Sequence, residues 1–218
     1  DPLSVDDEGA SYKTKLNRGL AVVEEQEYIT DAFSREAVSF VDRNRNNPFF
    51  LYLTYNAPHT PLQAPEQYLS RFKHIADNRR RIYAAMVSAI DDGVGKLLDK
   101  LKETGQEKNT LLFFLSDNGG PLDNGSSNHP LSGKKGNLYE GGIRVPFAMQ
   151  WPAVIAAGTV YEKPIISLDI FATALGSLQK TVQTKNPLDG VNLIPFLTGK
   201  KKGAPHEILF WRNQDMKA

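Results

Sequence analysis

Residues 111–120 read Leu-Leu-Phe-Phe-Leu-Ser-Asp-Asn-Gly-Gly, and no other stretch restricts the possible folds as much. Five large apolar residues in succession end in an acid, an amide and two glycines. An apolar run this short, closed by turn formers, predicts a strand buried on both faces. Open sheets of alternating strands and helices hold ligands beyond the carboxyl ends of such strands. Asp117 and Asn118 are thereby expected at a rim, offering hard oxygen atoms that suit Ca²⁺ or Mg²⁺ better than zinc. Asp, Asn and Gly are also common turn formers for backbone reasons alone, and the stretch by itself leaves both readings open.

The surrounding chain supplies the class. With Thr30 as N-cap, Phe33, Ala37, Phe40 and Val41 fall at helical spacing. Residues 48–55, Pro-Phe-Phe-Leu-Tyr-Leu-Thr-Tyr, predict a second buried strand, and Pro58 and Pro61 hold His59 in an extended loop past its end. Residues 79–103 predict the clearest helix. Its face of Ile82, Met86, Ala89, Ile90, Val94, Leu97, Leu98 and Leu101 is expected to pack on the sheet, and Gly105 is its stop signal. Asp91 and Asp92 lie inside that helix and point about 100° apart, so they read as a polar face and not as a paired acid or metal site. A third strand is expected within 145–151, a short helix over 169–178, and a last strand over 207–212 whose partners are expected beyond Ala218. Residues 1–27 show no sustained period. Helices alternating with apolar strands, joined by connections too long for hairpins, predict an α/β fold with a mostly parallel sheet flanked by helices.

Composition removes several function classes. The 218 residues suffice for one sizeable core and a piece of a second. A net charge of +1 argues against a general nucleic-acid or membrane-surface binder, and Lys200 to Lys202 read as a solvated loop. The absence of cysteine excludes disulfides and thiol chemistry in this chain. No apolar run approaches the ~20 residues that span a bilayer. Three polar groups then stand in loops after strands: His59, the Asp117-Asn118 pair, and Lys134-Lys135. A cation with positive side chains around it is equipment for holding a sulfate or phosphate ester and offsetting charge on its oxygens. The paired glycines Gly119-Gly120 and Gly141-Gly142 match neither a dinucleotide nor a P-loop spacing.

Pro48 to Leu53 followed by Ala57-Pro58-His59, then Phe114 to Gly119, then Gly133-Lys134-Lys135-Gly136-Asn137-Leu138-Tyr139-Glu140-Gly141-Gly142-Ile143-Arg144-Val145-Pro146, resembles the type I sulfatase (arylsulfatase) family of the alkaline phosphatase superfamily. Leu168 to Phe171 and Leu188 to Leu193 continue the likeness, which runs from about Tyr28 to Leu197. The resemblance implies an alkaline-phosphatase-like sheet and a sulfuric ester hydrolase acting on a sulfated carbohydrate or an aryl sulfate. It implies Asp117 and Asn118 as two ligands of a Ca²⁺ ion. Lys135 becomes the lysine that contacts the substrate sulfate, with Lys134 as its neighbour. His59 becomes the histidine that binds the sulfate ester and helps protonate the departing alcohol, and His129 is a further substrate-binding candidate. An exported location (periplasmic, extracellular or lysosomal) also follows from the family.

The family's formylglycine nucleophile arises in a Cys/Ser-x-Pro-x-Arg motif, which this chain lacks, as it lacks the family's Lys-x-His element. The expectation is therefore a second half of a sulfatase catalytic domain over 1–200, with 201–218 opening a small C-terminal subdomain and the nucleophile-bearing N-terminal half as the missing partner. Such a piece is expected to be inactive alone and to bind Ca²⁺ weakly or not at all. Ser132 stands where many relatives carry arginine, on the substrate side of the loop. Two alternatives remain at this stage: a non-catalytic sulfated-glycan binder, and a phosphoryl-transfer member of the superfamily. The latter generally carry Asp-His where Asp117-Asn118 stands, and an amide oxygen favours a single hard cation over a two-metal site.

Overall fold

A computed structural model describes residues 16–178, 183, 185–213 and 216–217. They fall into two units, the first within residues 1–106 and 120–129, the second within 107–119 and 130–218.

In the first unit a hairpin of β1 (Leu16–Arg18) and β2 (Ala21–Val23) turns at Gly19, whose φ of +63° only glycine adopts freely. Three helices follow: α1 (Ile29–Arg43), α2 (Glu66–Leu69) and α3 (Asn78–Glu103). Thr30, expected as an N-cap, instead lies buried inside α1, which begins after Tyr28. Asp77 caps α3 by accepting the Arg80 N–H at 2.6 Å. Gly105, at φ +73°, ends it: its N–H reaches Lys102 O at 3.1 Å and that of Gln106 reaches Leu101 O at 2.8 Å, a Schellman pair. Ile82, Ala85, Met86 and Ala89 of α3 pack with Tyr68 and Leu69 of α2 and with Ala57 and Leu62, while Ile90 is only partly buried against this cluster. Within this unit the described partners of the α3 face are the helices α1 and α2, where a sheet was expected. Asp91 is exposed and Asp92 takes Arg71 in a bidentate pair at 2.9 and 2.7 Å, in keeping with a polar face.

Residues 48–55 belong to no strand ladder among the described residues. The run is one-sided and not buried on both faces. Phe49 meets Phe40 edge to face at 5.7 Å and the Tyr55 hydroxyl meets Ser34 Oγ at 2.9 Å, whereas Phe50 and Tyr52 are 82% and 80% exposed. Apolar alternation is enough to signal an extended segment, but a strand also requires a partner for its backbone groups.

The second unit is built on β3 (Leu112–Leu115) and β4 (Phe147–Gln150), paired antiparallel with Leu115 opposite Phe147. Phe113 and Phe147 form a diagonal cross-strand aromatic pair at 6.3 Å. All three described ladders are antiparallel, so the mostly parallel pairing is not seen among them. Phe114, 42% exposed, shows that β3 is not buried on both faces. Between these strands lies α4 (Glu140–Ile143), and after them come α5 (Leu168–Ser177) and α6 (Ile194–Leu197). The last ladder pairs β5 (Arg212–Asn213) antiparallel with β6 (Met216–Lys217). It replaces the strand expected over 207–212, most of which is in no ladder, and the partner of β5 lies within this chain.

Asp169, fully buried in the first turn of α5, ties three segments together. Its carboxylate accepts the N–H groups of Ile166 at 2.9 Å and Val191 at 2.7 Å and faces His206 Nε2 at 2.8 Å. A Cβ on Gly190 would strike the Leu168 carbonyl, so the Leu168-Asp169 and Asp189-Gly190 motifs interlock at backbone contact.

Candidate functional site

The turn after β3 is set by short-range bonds. Ser116 N–H continues the ladder to Pro146 O at 3.2 Å, and Ser116 Oγ donates to Asn118 O at 2.9 Å. Asp117 projects at the tip, exposed, and its carboxylate has no hydrogen-bond or ion-pair partner among the described residues. Asn118 donates Nδ2 to Gly119 O at 3.0 Å, which leaves its Oδ1 open as an acceptor.

Gly119, Gly141 and Gly142 explain why the double glycine is needed. Gly119 N–H donates to Gly142 O at 3.0 Å, and a Cβ there would strike the Gly141 carbonyl. Gly141 N–H donates to Ser132 O at 2.7 Å, and a side chain on Gly142 would collide with the carbonyls of Asn137 and Lys134. The N-terminal turn of α4 is thus wedged between the Asp117 turn and the 132–137 loop, which brings the Asp117-Asn118 pair and the two lysines into one local assembly. Lys134 to Asn137 form a β-turn closed by Asn137 N–H to Lys134 O at 2.9 Å, with Gly136 at its third position at φ +86°. Asn137 Oδ1 also accepts the Lys134 N–H at 3.2 Å, and Asn213 Nδ2 reaches Gly136 O at 2.6 Å. Lys135 therefore sits at the apex of a pinned turn, exposed. Glu140 pairs with Arg144 instead, at 3.6 Å, and no carboxylate neutralises either lysine among the described residues.

His59 belongs to the first unit. Its loop is anchored by buried Ala57 and Leu62 on either side, contains cis peptides before Pro58 and Pro61, and is closed by His59 N–H to Asn56 O at 2.9 Å. The ring donates Nδ1–H to Thr60 O at 2.7 Å, which fixes the tautomer and leaves exposed Nε2 to meet a ligand. His129 ends a loop, also in this unit, that is closed by reciprocal 2.8 Å bonds between Gly120 and Asn128. Arg79 and Arg80 of α3 hold that loop through the carbonyls of Asp123 and Gly125, each at 2.9 Å. His129 is exposed, and no described contact joins it to His59.

No three His, Asp or Glu side chains cluster as a metal centre among the described residues. Asp117 and Asn118 nonetheless fit part of a hard-cation site: one unpartnered carboxylate and one amide oxygen left free by its own hydrogen bond. Sequence reasoning missed Asn137, whose side chain braces the lysine turn. An Asn just after a Lys-Gly turn was the available signal, and it is easily taken for loop composition.

Residues 4–180 match the Sulfatase family, and the chain belongs to it. It is 40% identical over 192 residues to the uncharacterized sulfatase YdeN of Escherichia coli (strain K12), covering 84% of this chain and 33% of that protein. It is 34% identical over 190 residues to steryl-sulfatase of Homo sapiens, covering 84% and 32%. Among solved structures, Ps i-CgsB in complex with k-i-k-neocarrahexaose superposes with a TM-score of 0.84 at 46% identity, over 88% of this chain and 43% of that one. The expected alkaline-phosphatase-like sulfatase fold is thereby established, and the chain spans about a third of the length of the curated relatives it matches.

Proposed function

We propose that the whole protein carrying this chain hydrolyses sulfate esters of a carbohydrate, and that this chain supplies His59, Asp117, Asn118 and Lys135 to that reaction. The observation that carries the reading is the Asp117-Asn118 turn locked by backbone contact to the Lys134–Asn137 turn, with open oxygens on one side and an unneutralised lysine on the other. A bound Ca²⁺ would offset negative charge on the sulfuryl oxygens. Asp117 and Asn118 would give two of the 6–8 oxygen donors such an ion takes. Lys135 binds the sulfate and stabilises the charge that its oxygens gain in the transition state. His59, held by Thr60 through Nδ1, presents Nε2–H when protonated and delivers that proton to the departing alkoxide. His129 is assigned a lesser role in substrate binding. The carbohydrate assignment is favoured by the 46% identity to Ps i-CgsB, seen with a neocarrahexaose, over the 34% to steryl-sulfatase. The same reading makes the protein an exported one, whether periplasmic, extracellular or lysosomal.

Leaving-group chemistry tests the role of His59. His59→Ala should lower turnover of a sugar sulfate by about 10²–10⁴-fold, and that of 4-nitrophenyl sulfate far less, since nitrophenolate departs without a proton. Equal losses on both substrates would reject the proton-donor role. The 218-residue chain by itself should release no sulfate, with or without Ca²⁺, because it contains no Cys/Ser-x-Pro-x-Arg motif. Ca²⁺-dependent turnover by this chain alone would overturn that expectation.

A further inference from the structure

We infer that a lysine-lined cleft in the second unit is a binding site for a sulfated glycan chain; its ligand class rests on the function proposed above. The cleft is open, about 410 Å³ in volume, and is walled by residues 160–163 on one side and 201–203 on the other. Lys163, Lys201 and Lys202 line it against a single acid, Glu162. All three lysines are exposed, and none has a carboxylate partner among the described residues.

Two features separate this cleft from a solvated lysine loop. Its walls are joined: the Tyr161 hydroxyl donates to Gly203 O at 3.2 Å. Lys201 is held at both ends, its N–H on Pro195 O at 2.8 Å and its ammonium 4.9 Å over the Phe196 ring. Like charges gathered along one cleft repel one another, and a polyanion relieves several repulsions at once. Val160, 81% exposed, and the Tyr161 ring add apolar surface on which the face of a sugar ring can rest. A nucleic acid is the weaker candidate, because the chain carries a net charge of only +1 and no extended basic stripe.

The test is the affinity of the whole protein for dextran sulfate at low and raised salt, with unsulfated dextran, a DNA oligonucleotide and phosphatidylserine vesicles as comparisons. Combining Lys163→Gln, Lys201→Gln and Lys202→Gln should lower dextran sulfate affinity about tenfold at low salt and flatten its salt dependence. The corresponding triple arginine variant should retain it, and Glu162→Gln should raise it severalfold. Unchanged affinity in the glutamine variant would overturn the site, and so would tighter binding of DNA or vesicles than of dextran sulfate through the same lysines. A protein that binds dextran sulfate through these lysines but releases no sulfate ester would keep this site and reject the proposed activity. One that hydrolyses esters with no lysine-dependent binding would do the reverse.

Discussion

Asp31 is buried in the first turn of α1, with one carboxylate oxygen taking the Tyr68 hydroxyl at 2.6 Å and the other the Gln67 amide at 3.2 Å. Tyr68→Phe removes the shorter bond and strands an acceptor away from water. It should cost about 1–3 kcal/mol in urea unfolding near neutral pH. Burial, followed by the hydrogen bond to Asp31, pushes the Tyr68 phenol above its usual range. The folded state therefore holds that proton more tightly than the unfolded chain does. Its contribution is complete below about pH 10 and fades as the pH climbs through the raised value. The stability gap between wild type and Tyr68→Phe should narrow in alkali, and a gap that widened there would reject this pairing. Asp92 titrates the other way. The Arg71 guanidinium hydrogen-bonded to it holds its carboxyl below the ordinary range, so that stability is present near neutral pH and is lost in acid. Arg71→Ala should lower the unfolding midpoint more near neutral pH than once Asp92 is protonated, with the contacts of Arg71 to Ser88 Oγ at 2.8 Å and over the Tyr68 ring at 4.9 Å leaving a smaller loss in acid.

α3 offers a test of packing on one element. A Cβ on Gly93 would collide with Ser34 Oγ, itself bonded to Thr30 O at 2.7 Å and to Tyr55, whereas Gly95 two residues on has open space. Gly95→Ala should stabilise by up to about 1 kcal/mol, the propensity difference in a helix interior. Gly93→Ala should destabilise by about 1–3 kcal/mol as overpacking outweighs that gain. Equal shifts in thermal midpoint would show that the α1–α3 contact is looser than described. The longer helices α1, α3 and α5 were legible because local periodicity encodes them: α3 was expected over 79–103 and spans Asn78–Glu103, whereas the four-residue α2, α4 and α6 are too short to show a period. Strand partners were not, because pairing is decided by residues far apart in sequence. β3 and β4 each showed as an apolar run, yet neither run states that Leu115 faces Phe147 in antiparallel register. The exposure of Phe50 and Tyr52 was hidden for the same reason. In the candidate site, the acid, amide and lysine were readable as residue types after strands. The backbone wedge of Gly119, Gly141 and Gly142 was not, since it exists only once two distant loops meet.

At the scale of the whole molecule, one unit carries His59 on a loop anchored at both ends, and the other carries Asp117, Asn118 and Lys135 on turns fastened together by glycine backbone. The proposed sulfate ester hydrolysis rests on family membership and these local geometries, and Lys135 is the residue on which that proposal depends most. The direct measurement is inorganic sulfate released from an aryl sulfate by the whole protein and by its Lys135→Ala variant, each checked for unchanged thermal stability. Lys135 is exposed at a turn apex with no ion-pair partner among the described residues, so its loss should leave the fold intact. The account predicts turnover by the wild type and a fall of about 10²-fold or more in kcat for the variant, as removal of an oxyanion-stabilising group brings. A variant within about twofold of wild type, too small a change for a lost transition-state contact, would contradict it.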